Sequence, residues 1–183
     1  MENTEQYLSL LFSQFDTGIP WAVIGITVLM ASLGSCAIYY RHRRMTRRMV
    51  IPWIVACLFL MVYTAVLRRT SQPEYSIHLM PFWSIQAIQK GYIETLYEKI
   101  YNVIFFVPYG FLLGAYLKKY PIRNSIVIGC IISIGIELLQ LITRTGTCET
   151  DDVICNTLGG GIGAVIGVSI LEIYKRIASG NYE

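Results

Sequence analysis

Six polar side chains stand among long apolar runs, where their presence needs a reason. Glu137, Gln140 and Arg144 follow at steps of three and four residues, the spacing that lines one face of an α-helix. A short turn, TGTCETDD, then brings Glu149, Asp151 and Asp152, and Asn156 stands one helical turn after Asp152. Asn102 lies in the first turn of an earlier apolar run. A carboxyl group inside such a run is costly to bury, so it faces a partner or a wet cavity. Two chemistries are open to the group. Glu137 in apolar surroundings and an ionised Asp152 could serve as a catalytic acid and base on a lipid-linked substrate. Alternatively Asn102, Glu137, Gln140, Arg144, Asp152 and Asn156 could bind a sugar, peptide or lipid headgroup by hydrogen bonds, without catalysis. No histidine belongs to the cluster, and GxSxG and HExxH are both missing from the chain, so no nucleophile is apparent. No CxxC or His-rich spacing points to a metal, and no cofactor is expected.

The elements that must position these groups are membrane helices. Hydrophobic residues make up 54% of the chain and charged ones 15%, with a mean hydropathy of +0.50, which excludes an ordinary soluble domain. A spanning helix needs roughly 17 to 25 mostly apolar residues. Five segments meet that length: Ile19–Tyr40, Val50–Leu67, Ile100–Leu117, Ser125–Thr143 and Val153–Tyr174. Only Glu137 and Glu172 carry charge within them. The fold class expected is therefore an all-α, polytopic membrane protein of about five helices, forming a single domain over residues 1–183.

Orientation follows from where Lys and Arg collect, because short basic loops stay in the cytoplasm. RHRRMTRR between the first two spans, Lys118, Lys119 and Arg123 between the third and fourth, and Lys175 and Arg176 after the fifth put ten basic residues on one side. The other side holds five basic residues and nine acids. This places the N-terminus outside, the C-terminus in the cytoplasm and the polar cluster at the outer end. The first 18 residues carry three acids and no base, unlike a cleavable leader, so the first span is expected to stay. In the long outer loop, residues 68–99, Ile85, Ile88, Tyr92, Leu96 and Ile100 recur at helical spacing and predict one amphipathic helix on the outer leaflet, with Ser84 as its N-cap. Cys148 and Cys155 both fall near the outer surface, where a disulfide is conceivable.

Helices meet inside lipid by close approach at small residues. Gly159, Gly163 and Gly167 repeat every four residues, as do Gly110 and Gly114, while Ser125, Gly129 and Ser133 form a further stripe. These predict that spans three, four and five pack tightly and bring the six polar residues together in an outward pocket. Pro108 is expected to kink span three. Spans one and two, residues 19–67, are bulkier and read as a peripheral hairpin.

The motifs HLMPF, NVIFFVPYGFLLG, IELLQ and DDVICNTLGGGIG, in this order, resemble the core of the VanZ-like membrane proteins, over about residues 79–174. The resemblance pairs Pro81 and Phe82 with the outer-loop motif, and Asn102, Phe106, Pro108 and Gly110 with that of the third span. Glu137 and Gln140 match the fourth span, and Asp152, Asn156 and Gly159 the last. It implies a multi-pass protein of the bacterial plasma membrane, acting at the cell envelope of Gram-positive bacteria and linked to resistance to glycopeptides such as teicoplanin. Its implied partners are membrane lipids, a lipid-linked wall precursor or the antibiotic itself, and not nucleic acid. Three functions stay open: a headgroup-binding protein, an intramembrane enzyme modifying a lipid-linked precursor, and a small transporter or flippase subunit.

Overall fold

The computed structural model describes residues 50–67 and 69–180. The expected first span, Ile19–Tyr40, lies outside these residues. The described chain is helical apart from one short parallel bridge.

Helix α1 (Ile51–Val62) starts with Pro52 in its first turn, where a missing amide costs nothing, and continues as a π-helical turn, Tyr63–Leu67. After an extended strap come β1 (Ile77–His78) and the short helix α2 (Trp83–Gln89). Helix α3 (Ile93–Tyr116) and helix α4 (Pro121–Thr143) follow; the turn after α4 holds β2 (Cys148–Glu149) and leads directly into α5 (Thr150–Gly180). Two helices, α4 and α5, are long and apolar enough to cross a membrane, and Ile51–Leu67 is a shorter apolar helix.

The outer loop departs from the expected single amphipathic helix. Gly91, at φ +96°, takes the left-handed conformation that ends helices, so the periodic stretch divides into α2 and the beginning of α3. α3 consequently begins seven residues before the apolar run at Ile100, and Glu94, Glu98 and Lys99 become part of it. It runs on through Pro108 without a break.

α3 and α5 lie side by side in the same direction, with α4 returning between them in the chain. The glycine stripes make the contact. A Cβ at Gly159 would fall on the carbonyl of Val103, at Gly163 on that of Val107, and at Gly110 on that of Gly160. At Gly114 it would stand 2.6 Å from the Ala164 carbonyl oxygen, and at Gly167 2.5 Å from that of Phe111. All five glycines expected to pack helices do so, backbone against backbone. In the third stripe Ser125 and Ser133 are fully buried, whereas a Cβ at Gly129 would meet nothing. The apolar core gathers Phe106, Tyr109, Phe111, Leu112 and Leu113 of α3 with Ile136 of α4, and α1 joins it through Cys57 and Met61.

Gly163→Ala and Gly110→Ala should each lower the thermal stability of the detergent-solubilised protein, by about 1–3 kcal/mol or more, because backbone cannot yield as a side chain would. Gly129→Ala should leave it unchanged or slightly raised. Equal effects at the three positions in a melting series would contradict the close α3–α5 contact.

Candidate functional site

At the end of the bundle where α4 turns into α5, four charged side chains converge. Lys99, 7% exposed on α3, donates to Glu149 Oε2 at 2.5 Å and to Asp152 Oδ1 on the first turn of α5. Glu137, 3% exposed on α4, accepts from the Glu149 amide at 2.9 Å. Glu149 thus joins the cluster twice, by side chain and by backbone. Lys99 precedes the apolar stretch of α3. Burial opposes its charge, but the hydrogen bonds to Asp152 and Glu149 and their coulombic attraction outweigh that and hold its pKa up at about 12. The ammonium therefore stays charged at any physiological pH.

Gln140, one turn from Glu137, is buried and donates to the Ala65 carbonyl at 3.2 Å. Ala65 stands in the last turn before the helix ends at Leu67, where carbonyls have no partner within the helix. The Oε1 of Gln140 is buried with no hydrogen-bond partner among the described residues. Asn156 is buried and donates to Ser133 Oγ at 2.9 Å. Asn102 is half-buried on α3. Glu137, Asp152 and Gln140 therefore surround one end of the α3–α4–α5 bundle.

Arg144 does not join them. It takes a left-handed conformation, φ 56°, as the residue that ends α4, and so leaves the helical face shared by Glu137 and Gln140. Its guanidinium binds the strap instead, donating to the Tyr75 hydroxyl at 3.1 Å and stacking over that ring at 4.3 Å.

The strap runs in register along the turn. Gln72 N donates to Arg144 O at 2.7 Å, and Cys148 N to Ser76 O at 3.0 Å. Ile77 then pairs with Cys148 and His78 with Glu149. Thr150 Oγ1 donates to Leu79 O at 3.1 Å. Asp151 closes the series: its carboxylate accepts from Phe82 N, Ser84 N at 2.9 Å and Ser84 Oγ. The expected role of Ser84 as an N-cap changes accordingly. Asp151 sits in the first turn of α5 but caps α2, and Ser84 is inside α2 as a donor to it; Phe82, the residue before α2, has φ 63° and makes no side-chain cap. Trp83 then packs between His78, edge to face at 4.6 Å, and Lys99, whose ammonium stands 5.4 Å from its ring.

Cys148 and Cys155 are both free thiols. Burial first, and then the surrounding carboxylates, push the Cys148 thiol above its ordinary pKa, which keeps it protonated and unreactive. Among the described residues no group of His, Cys, Asp and Glu has the arrangement to hold a metal ion.

Sequence reasoning missed Lys99, Ser133 and the capping role of Asp151. Lys99 was hidden because hydropathy places the helix start at Ile100. The packed structure supplies what hydropathy does not: Lys99 stands one turn before Val103, whose carbonyl meets Gly159 of α5.

A family model described as VanZ/LLP1 matches residues 48–171. Protein VanZ of Enterococcus faecium is 31% identical over 111 residues, an overlap of 61% of this chain and 62% of that protein. The chain thus spans about six-tenths of the length of that relative. No solved structure matches the chain.

Lys99→Met should leave the Glu149 and Asp152 carboxylates without their cation in a largely buried place, and cost about 3 kcal/mol, the lower end for a broken buried ion pair. Adding Glu149→Gln and Asp152→Asn should restore part of the loss, as read by thermal denaturation. Asp151→Ala should cost roughly 1 kcal/mol as a lost cap and speed amide exchange in residues 82–90 while α4 keeps its protection.

Proposed function

The chain belongs to the VanZ/LLP1 family, and from that membership we propose a multi-pass protein of the bacterial plasma membrane that takes up an envelope lipid or glycopeptide headgroup at its outer end. Residues 19–40, α1, α3, α4 and α5 cross the membrane in this reading, with the N-terminus outside and the C-terminus cytoplasmic. The basic loops support that direction, since Lys118, Lys119 and Arg123, between α3 and α4, belong to the opposite end from the polar cluster, and RHRRMTRR precedes α1 in the sequence.

One observation carries the binding role. A buried polar constellation, Lys99, Glu137, Gln140, Glu149 and Asp152, lies at the end of the bundle where α4 turns into α5, and it retains an unspent acceptor in Gln140 Oε1. A purely structural charge cluster is stabilised best when every group is satisfied. The unsatisfied acceptor, with Asn102 half-buried nearby on α3, suits a sugar or peptide donor that completes the set. The resemblance to a resistance family makes glycopeptides such as teicoplanin, or the wall precursors they recognise, the ligands to try first.

Catalysis by Glu137 as acid and Asp152 as base finds less support. Asp152 is held by Lys99, and one oxygen of Glu137 already accepts an amide hydrogen bond, an arrangement that fixes the carboxyl groups as hydrogen-bonding partners.

In a teicoplanin-susceptible host, the wild-type chain should raise tolerance, and Glu137→Gln and Gln140→Leu should each return it to the level of the empty vector at equal membrane abundance. Tolerance unchanged by both substitutions would remove the constellation from the function. If purified protein converted a lipid-linked precursor into a product of different mass, catalysis would replace binding as the reading. In a cysteine-free background, labelling from outside should reach Thr147→Cys and not Arg44→Cys; the opposite pattern would reverse the topology.

A further inference from the structure

The polar constellation leaves the HLMPF segment, residues 78–82, without a part in binding. That segment forms one wall of a separate open groove of about 640 Å³, between β1, α2 and the beginning of α3. The volume lies within the range of small-molecule sites, roughly 300–1,000 Å³. Ile77, Leu79 and Met80 line it with apolar side chains, and all three are exposed. His78, Gln86 and Lys90 contribute its polar lining.

The charge in this groove is one-sided. Among the described residues Lys90 is the sole charged one lining it, and no carboxylate does. The nearest acids of the turn are already committed, Asp151 to the amides of Phe82 and Ser84, and Glu149 to Lys99. Tyr92, which precedes α3 and also lines the groove, gives that helix no side-chain cap, and Glu94 in its first turn offsets the helix end, so Lys90 alone supplies the positive charge of the groove. An apolar trough with one cation at its edge complements a molecule with an anionic head and a hydrocarbon tail. Phe82, Ile85 and Tyr97, all exposed around the same end of the molecule, extend the apolar rim toward the depth where a lipid headgroup meets its chains.

We propose that this groove seats an anionic phospholipid of the outer leaflet, its phosphate at Lys90 and the first carbons of its chains against Ile77, Leu79 and Met80. The site is distinct from the Glu137 constellation and rests only on the outward placement of that end of the bundle. It gives the outer loop a lipid-reading function: the strap and α2 dock on anionic lipid beside the polar constellation and not through it.

The test uses the full chain in detergent, titrated with dihexanoyl-phosphatidylglycerol and dihexanoyl-phosphatidylcholine and read by native mass spectrometry. Phosphatidylglycerol should bind more tightly than phosphatidylcholine. Lys90→Gln should weaken phosphatidylglycerol about fivefold and Lys90→Glu further, with phosphatidylcholine unchanged. Lys90 is exposed at the end of α2, so both variants should fold. With Trp21→Phe and Trp53→Phe in place, the remaining Trp83 emission should shift on binding. Equal binding of the two lipids, phosphatidylglycerol binding indifferent to Lys90→Glu, or a silent Trp83 would each overturn the proposal. Displacement by inorganic phosphate at the same concentration would show a free-phosphate site and overturn the lipid as its source. Glu137→Gln should keep phosphatidylglycerol binding even where teicoplanin tolerance is lost, so the two readings fail separately.

Discussion

Backbone contact between α3 and α5 is the constraint on which the remaining structure depends. Glycines at 159, 163 and 167 lay α5 on the carbonyls of Val103, Val107 and Phe111, one turn against one turn. Helices that touch through backbone have no side-chain layer to absorb a shift, so their register is set to within a fraction of a turn. That register places Lys99 against Asp152 at the head of the pair. α4 then fills the side where Ser133 meets Asn156 and Glu137 reaches the amide of Glu149. The polar constellation is thus a consequence of close packing two turns away.

The close contact also explains how so much charge is tolerated beneath a cover. A lysine and several carboxylates brought out of water lose hydration that mutual attraction repays only when the geometry is tight. Here each group has a defined partner: Lys99 holds two carboxylates, Glu137 an amide, and Asp151 three donors of the strap. Gln140 breaks the pattern with an acceptor left over, while its amide group donates to the Ala65 carbonyl. Trp83, over Lys99, likewise keeps a buried indole N–H without a partner among the described residues, beside the charge it covers.

Much of this was legible before any coordinates. Runs of four-residue glycine spacing marked the helices that touch, and the mid-run carboxyl at Glu137 marked the end of the bundle that matters. What stayed hidden was non-local. Lys99 reads as a loop residue by hydropathy because charged residues extend α3 upstream of its apolar part, and only the packed neighbour makes that extension favourable. Arg144 has the spacing to face Glu137, but the helix ends on it in a left-handed conformation, and spacing has no meaning beyond a helix end. Asp151 has the position of a cap for α5, yet the amides it satisfies belong to Phe82 and Ser84, far away in sequence. Gly91 was the one local sign that the outer helix divides in two.

The two halves of the structure are held by forces that respond differently to a ligand. In the bundle, van der Waals contact between backbones cannot loosen gradually, because the helices either interlock or separate. The strap is attached by hydrogen bonds in a row, Gln72 to Arg144, Ser76 to Cys148, Leu79 to Thr150 and Ser84 to Asp151, each of modest net worth and each replaceable by water or by a polar headgroup. Any ligand that reaches Glu137 or Lys99 from outside must exchange with some of these bonds, and Trp83 rides on the strap directly over Lys99. In the proposed reading, binding energy at this end would be spent on moving the strap, while the glycine contact keeps the charged groups beneath it in place.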